Sequence, residues 1–144
     1  MKTLPILIVA DPSFVPTYSH SGDAGADLKS SETKILPARA RANFLTGVSI
    51  AIPNGYVGLV HPRSGLASKH GITVLNAPGT VDAGYRGEIA VTLFNSSDED
   101  FQITQGDRIA QIVFQQVERA DFVNVETLPG TERGSGGFGS TGKS

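Results

Sequence analysis

"GEIAVTLFN" (residues 87–95) alternates without a break: Ile89, Val91 and Leu93 fall on one side, Ala90, Thr92 and Phe94 on the other. A period of two belongs to an extended strand, not to a helix. Apolar groups stand on both sides, as in a strand covered on both faces. "RIAQIVFQQV" (108–117) repeats the pattern, with Ile109, Val113 and Val117 alternating against Ala110, Ile112, Phe114 and Gln116. Gln111 interrupts the first of these faces with a polar group. In "GVSIAI" (47–52), Val48, Ile50 and Ile52 share one side, and Ser49 and Ala51 the other. "MKTLPILIVA" (1–10) is expected to supply the first strand.

Turn signals separate these runs: Pro53-Asn54-Gly55, Ala77-Pro78-Gly79, Asp82-Ala83-Gly84 and Gln105-Gly106-Asp107. Helical periodicity is nearly absent, so at most one short helix is expected, around Ser64–Lys69 after Pro62. Many short strands at this spacing predict a single all-β domain of the sandwich or jelly-roll type. The apolar pattern stops near Thr127, which predicts a β domain over residues 1–126 and a flexible glycine-rich arm over 127–144.

Composition narrows the function. The 144 residues are 39% hydrophobic and 18% charged, enough apolar material for a core. The net charge of -2 offers no broad basic face, so nucleic acid is not an expected partner. There are no cysteines, which removes disulfides, thiolate metal sites and cysteine nucleophiles and fits a cytoplasmic location. The apolar start is too short to span a membrane, and no membrane partner is expected.

Three loops carry candidate chemistry. "SGDAGADLKS" (21–30) places Asp27 beside small residues, as a capped turn also would. "HPRSGLASKHGI" (61–72) sets Arg63, Ser64 and Gly65 after a proline. A guanidinium fork, a hydroxyl and a glycine N–H together suit phosphate, and equally open an ordinary capped helix. "VLNAPGTVDAGYRGEIAVTLFN" (74–95) presents Asp82 on a turn with Asn76 and Tyr85 nearby. Such a carboxylate suits a general base, although a plain hairpin has the same pattern.

In order, "AGADLKS", "PRSGLASKHGI", "LNAPGTVDAGYRGEIAVTLFN", "GDRIAQIVFQQV" and "RGSGGFGSTG" resemble the five motifs of the trimeric dUTPase family, from about Ala24 to Gly142. The resemblance implies a jelly roll (the dUTPase-like β-clip barrel) assembled as a homotrimer with sites at subunit interfaces. It implies hydrolysis of dUTP to dUMP and pyrophosphate by water attack on the α-phosphorus. Asp82 matches the carboxylate that activates this water. Mg2+ is the implied cofactor, held through triphosphate oxygens and water with no direct protein ligand.

The resemblance also implies the substrate contacts. Asn76, and Ala90 on the returning strand, match the backbone that reads uracil; Gly79, Thr80 and Val81 are further contacts on that loop. Tyr85 matches the tyrosine under deoxyribose, which leaves no room for a 2′-hydroxyl. Arg63, Ser64 and Gly65 match the phosphate loop given by a neighbouring subunit, and Gln111 a polar group near the α-phosphate. Asp27 supports the site through Arg63 or metal-bound water. Arg133 matches the arm arginine that reaches the γ-phosphate, Phe138 the ring that stacks on uracil, and Gly136, Gly137 and Gly139 glycines whose N–H groups approach the phosphates. Arg108 is left without an assigned role, and His20, His61 and His70 read as structural or solvated.

Two alternatives stay open at this point: a dCTP deaminase or bifunctional deaminase–dUTPase of the same fold, and a dUTP-binding regulatory protein. Gly137, Gly142, Lys143 and Ser144 also fit the letters G-x-x-x-x-G-K-[ST] of a P-loop. That loop needs a strand before it and a helix after it. Neither is expected here, and Lys143 and Ser144 are given no phosphate or magnesium role.

Overall fold

The computed structural model describes residues 2–139, 141 and 142; Lys143 and Ser144 lie outside the described residues. In chain order the strands are β1 (Leu7–Val9), β2 (Ala26–Lys29), β3 (Lys34–Leu36), β4 (Arg41–Leu45), β5 (Ser49–Ala51) and β6 (Tyr56–His61). After the helix α1 (Ser64–His70) come β7 (Ile72–Val74), β8 (Gly79–Val81), β9 (Ala90–Asn95), β10 (Phe101–Ile103) and β11 (Arg108–Gln116). A 3-10 turn spans Pro12–Phe14. The chain is an all-β jelly roll with one short α-helix, as its alternation predicts. Among the described residues no helix is long and apolar enough to cross a membrane.

Two sheets carry the site. One has the order β2-β11-β6-β8 and the other β4-β9-β7, all neighbours antiparallel. Two small pairs, β1 with β5 and β3 with β10, close the ends. Val48, Ile50 and Ile52 are all buried, as their shared side requires. On β9, Val91 and Leu93 are buried while Thr92 and Phe94 are half-buried. Asn95 ends that strand fully buried with its polar atoms matched. Its Nδ2 donates to the carbonyls of Leu36 (3.1 Å) and Glu99 (2.7 Å), and its Oδ1 accepts from Ser97 N and Oγ. Phe44 on β4 is fully buried at the centre of the core. Phe44→Ala is expected to lose about 3–5 kcal/mol of stability, read by chemical denaturation, because the interior refills such a cavity only partly.

Two local expectations change. The register of β11 against β2 shifts between Arg108 and Ala110. Ile109 and Ala110 are therefore both buried, and Gln111 shares its half-buried side with Val113 rather than interrupting a face with Ile109. A bulge of this kind breaks strict alternation by one residue. The segment 74–95 is also not one hairpin. β7 pairs with β9, but β8 leaves for the other sheet and pairs with β6. The chain thus switches sheets between Val74 and Ala90, and a cleft opens where it does so.

Past Gln116 no strand or helix forms among the described residues. Phe122 is 93% exposed and Leu128 83%, so this segment carries large apolar groups outside the body of the chain.

Candidate active site

The first cleft lies over the row that β2, β11 and β6 make together. Gln111 stands directly opposite Asp27 on one side and His61 on the other. Cross-strand partners project from the same face, so the register alone gathers these three side chains. His61 leads through Pro62 into Arg63, which caps α1. Its side chain turns back onto Asp27, with Nε 3.2 Å from Oδ1. Arg108 approaches the same carboxylate from β11, with Nη1 3.6 Å from Oδ2. Arg63 Nη1 also reaches the Arg108 carbonyl at 3.4 Å, and Ser19 Oγ reaches Asp27 Oδ2 at 3.4 Å.

Asp27 is buried, and two guanidiniums around it offset the cost of a carboxylate away from water. Asp27 in turn holds the Nε edge of Arg63. Gln111 Nε2 donates to the Pro62 carbonyl at 2.9 Å and ties β11 to the turn that carries Arg63. Ser64 and Gly65 open the helix beside it, and an added Cβ at Gly65 would meet open space. The cleft, about 510 Å³, is lined by these groups with Ser19, Asp23, Gly25, His61 and Val113. Arg63, the Ser64 hydroxyl and the first N–H groups of a helix suit a polyanion.

The second cleft is the one opened by the sheet switch. Asn76, Gly79, Thr80, Val81, Asp82, Tyr85 and Ala90 line it, over an apolar floor of Val60, Val74, Ile89 and Val91. Asp82 is exposed at the head of a turn closed by Tyr85 N to Asp82 O at 3.1 Å. Tyr85 folds back so that its hydroxyl donates to the Glu88 carbonyl at 2.8 Å. Arg86 staples the same turn, with Nη1 donating to the carbonyls of Ala83 and Tyr85. An aromatic side wall, an apolar floor and one free carboxylate suit a flat heterocycle with a reacting centre at its edge.

The fold thus sorts the expected residues into two groups. Asp27, Arg63, Ser64, Gly65 and Gln111 share the first cleft; Asp82 and the six other residues named for the second share the other. No residue is common to both linings. Arg133, Phe138 and Gly139 line neither: Arg133 Nε donates to the Gly136 carbonyl at 2.6 Å, and Phe138 is fully exposed. His61 lines the first cleft and Arg108 pairs with Asp27 beside it, although sequence reading gave neither a part in it. Arg108 acts through a bulged register and His61 through a cross-strand one, and neither is visible in the local pattern.

Comparison with known proteins identifies the family. A family model described as dUTPase matches residues 11–142. The deoxyuridine 5'-triphosphate nucleotidohydrolase of Thermobifida fusca is 58% identical over 92% of this chain and 75% of its own length. That of Leifsonia xyli subsp. xyli is 55% identical over 97% of this chain and 91% of its own. The dUTPase of Staphylococcus bacteriophage 80alpha, solved with dUpNHpp, superposes with a TM-score of 0.89 at 30% identity, covering 98% of this chain and 100% of that one. Motif order, fold and these matches agree, and the chain belongs to the dUTPase family.

Proposed function

We propose that this chain hydrolyses dUTP to dUMP and pyrophosphate, with Asp82 as the base that activates water. The division of the site carries the reading. One cleft has the chemistry for a triphosphate and the other the chemistry for a nucleoside and a base catalyst, yet no residue of the chain lines both. A homotrimer unites them when the Arg63 cleft of one subunit meets the Asp82 cleft of its neighbour. Exposed apolar groups on β1 (Leu7 at 76%, Val9 at 78%) and at Phe122 and Leu128 support such an assembly, since a lone soluble domain rarely leaves so much apolar surface bare.

Uracil sits against the backbone of Asn76, Gly79, Thr80, Val81 and Ala90, where a 5-methyl group would clash. Tyr85 lies under deoxyribose and meets any 2′-hydroxyl. Arg63, Ser64, Gly65 and Gln111 hold the phosphates, and Asp27 fixes Arg63. Asp82 accepts a proton as the water oxygen bonds to the α-phosphorus and the bond to pyrophosphate breaks. The leaving group departs with its electron pair and its charge. Phe138 stacks on the base and Arg133 reaches the γ-phosphate, closing the arm of residues 127–144 over the site.

Among the described residues no three His, Asp or Glu side chains converge on a metal position, and Asp27 is already turned to two arginines. Mg2+ would be held by triphosphate oxygens and water, with Asp27 supporting the site through Arg63 or metal-bound water. When bound, Mg2+ supplies positive charge that offsets the repulsion between Asp82 and the triphosphate. We place the reaction in the cytoplasm, where deoxynucleotides are made and used.

Pyrophosphate release from dUTP with Mg2+ tests this reading, and pure protein without turnover would overturn it. Ammonia released from dCTP would favour the deaminase instead. Tyr85→Ala is expected to raise UTP turnover relative to dUTP by about 10-fold or more, since a steric block to the 2′-hydroxyl is removed. Unchanged discrimination would remove Tyr85 from that role. Asp27→Ala is expected to lower kcat/KM for dUTP about 10- to 100-fold, because Arg63 loses its anchor and Arg108 its partner.

A further inference from the structure

We propose that Gly25 is a positioning residue for the hydrolysis, acting by leaving room for the Gln111 amide. An added Cβ at Gly25 would overlap Gln111 Oε1 and lie 2.9 Å from its Cδ and 3.1 Å from its Cβ. Real Cβ atoms do not approach so closely, so something must move. The two nearest atoms, Oε1 and Cδ, belong to the amide at the end of the side chain and can swing away, while Gln111 Cβ, held by the backbone, must give by a few tenths of an ångström. Gly25 is not among the glycines with positive φ, so alanine carries no backbone strain there. The largest overlap falls on the amide.

That amide is pinned on both sides. Its Nε2 donates to the Pro62 carbonyl at 2.9 Å, and its Oε1 packs over Gly25. Pro62 immediately precedes Arg63, whose guanidinium is set by Asp27, two residues beyond Gly25 on the same segment. A methyl group at position 25 therefore turns the Gln111 amide away from Pro62 and loosens the approach of Arg63, while the core beneath stays packed. The inference rests on the reading of Gln111 as a group near the α-phosphate.

The experiment is a cycle of Gly25→Ala, Gln111→Ala and the double variant, assayed for kcat and KM with dUTP and for thermal midpoint, with a crystal structure of Gly25→Ala. Each single variant is expected to lower kcat about 10- to 100-fold, the range for a catalytic group moved by about an ångström. The double variant should be no slower than Gln111→Ala, because the amide is already gone and only the milder 3.1 Å contact to the Cβ of residue 111 remains. In the crystal structure Nε2 should lie beyond hydrogen-bond reach of the Pro62 carbonyl. Should Gly25→Ala fail to fold, the double variant is expected to restore folding. Wild-type kcat in Gly25→Ala overturns the inference, and so does an equal loss in the Gln111→Ala background or an unfolded double variant. A fully active Gln111→Ala overturns the reading of Gln111 itself. The crystal structure separates the two failures, since it locates the amide without reference to turnover.

Discussion

Asp82→Asn is expected to bind dUTP with a KM close to that of the parent and to hydrolyse it about 10²- to 10⁴-fold more slowly, the range for losing a positioned general base. The argument starts from where Asp82 stands. It heads a turn that Tyr85 N closes onto the Asp82 carbonyl, and Arg86 braces that turn through the carbonyls of Ala83 and Tyr85. The backbone holds the turn, so an amide in place of the carboxylate keeps its shape. Asparagine fills the same space but accepts a proton poorly. The loss should therefore fall on kcat, as expected for an interaction made only in the transition state. A rise in KM at unchanged kcat would show that Asp82 binds substrate and that the base lies elsewhere. Stability should move little, because Asp82 is exposed.

What the sequence made legible follows from how local each cause is. The alternation of Val48, Ile50 and Ile52 reports burial on one side directly, and all three are buried. Pro62, Ser64 and Gly71 bracket a helix whose bounds are Ser64–His70, close to the expected turn or two. The sheet switch at β8 was not legible. Gly79, Thr80 and Val81 lie between the turn signals at Pro78 and Asp82, and only pairing with β6, distant in sequence, draws them into the other sheet. The bulge after Arg108 was hidden for the same reason, since it is a mismatch between β11 and β2. The site divides likewise. Asp27, Arg63 and Asp82 announce themselves as charges among small and turn residues. Gly25 does not, because its reason is the Gln111 amide, brought beside it by strand register. Motif order supplied roles that no single loop carries.

Truncation after Thr131 is expected to lower kcat/KM for dUTP by about 10³-fold or more while leaving the oligomer intact. An arginine that stabilises a transferring phosphoryl group is worth about 10³–10⁵ in kcat elsewhere, and an aromatic stacked on a base adds about 1–3 kcal/mol. The arm offers both groups and commits neither. Arg133 is turned onto the Gly136 carbonyl, one local hydrogen bond that the proposed closure would have to break. Phe138 touches no core residue and is fully exposed, so stacking on a base gains contact at no cost in packing. Gly134, Gly139 and Gly142 all have positive φ, a conformation glycine adopts freely and other residues resist. Replacing Gly139 with alanine should therefore impair closure even with Arg133 and Phe138 present. Phe138→Ala should act mainly on KM, by roughly 5- to 100-fold, and Arg133→Ala mainly on kcat. Native mass and thermal midpoint decide between a lid and a brace. A truncated chain that keeps its mass and loses its turnover has lost a lid. One that dissociates shows that residues beyond Thr131 hold the subunits together, and the two-cleft site would then need the arm for its assembly.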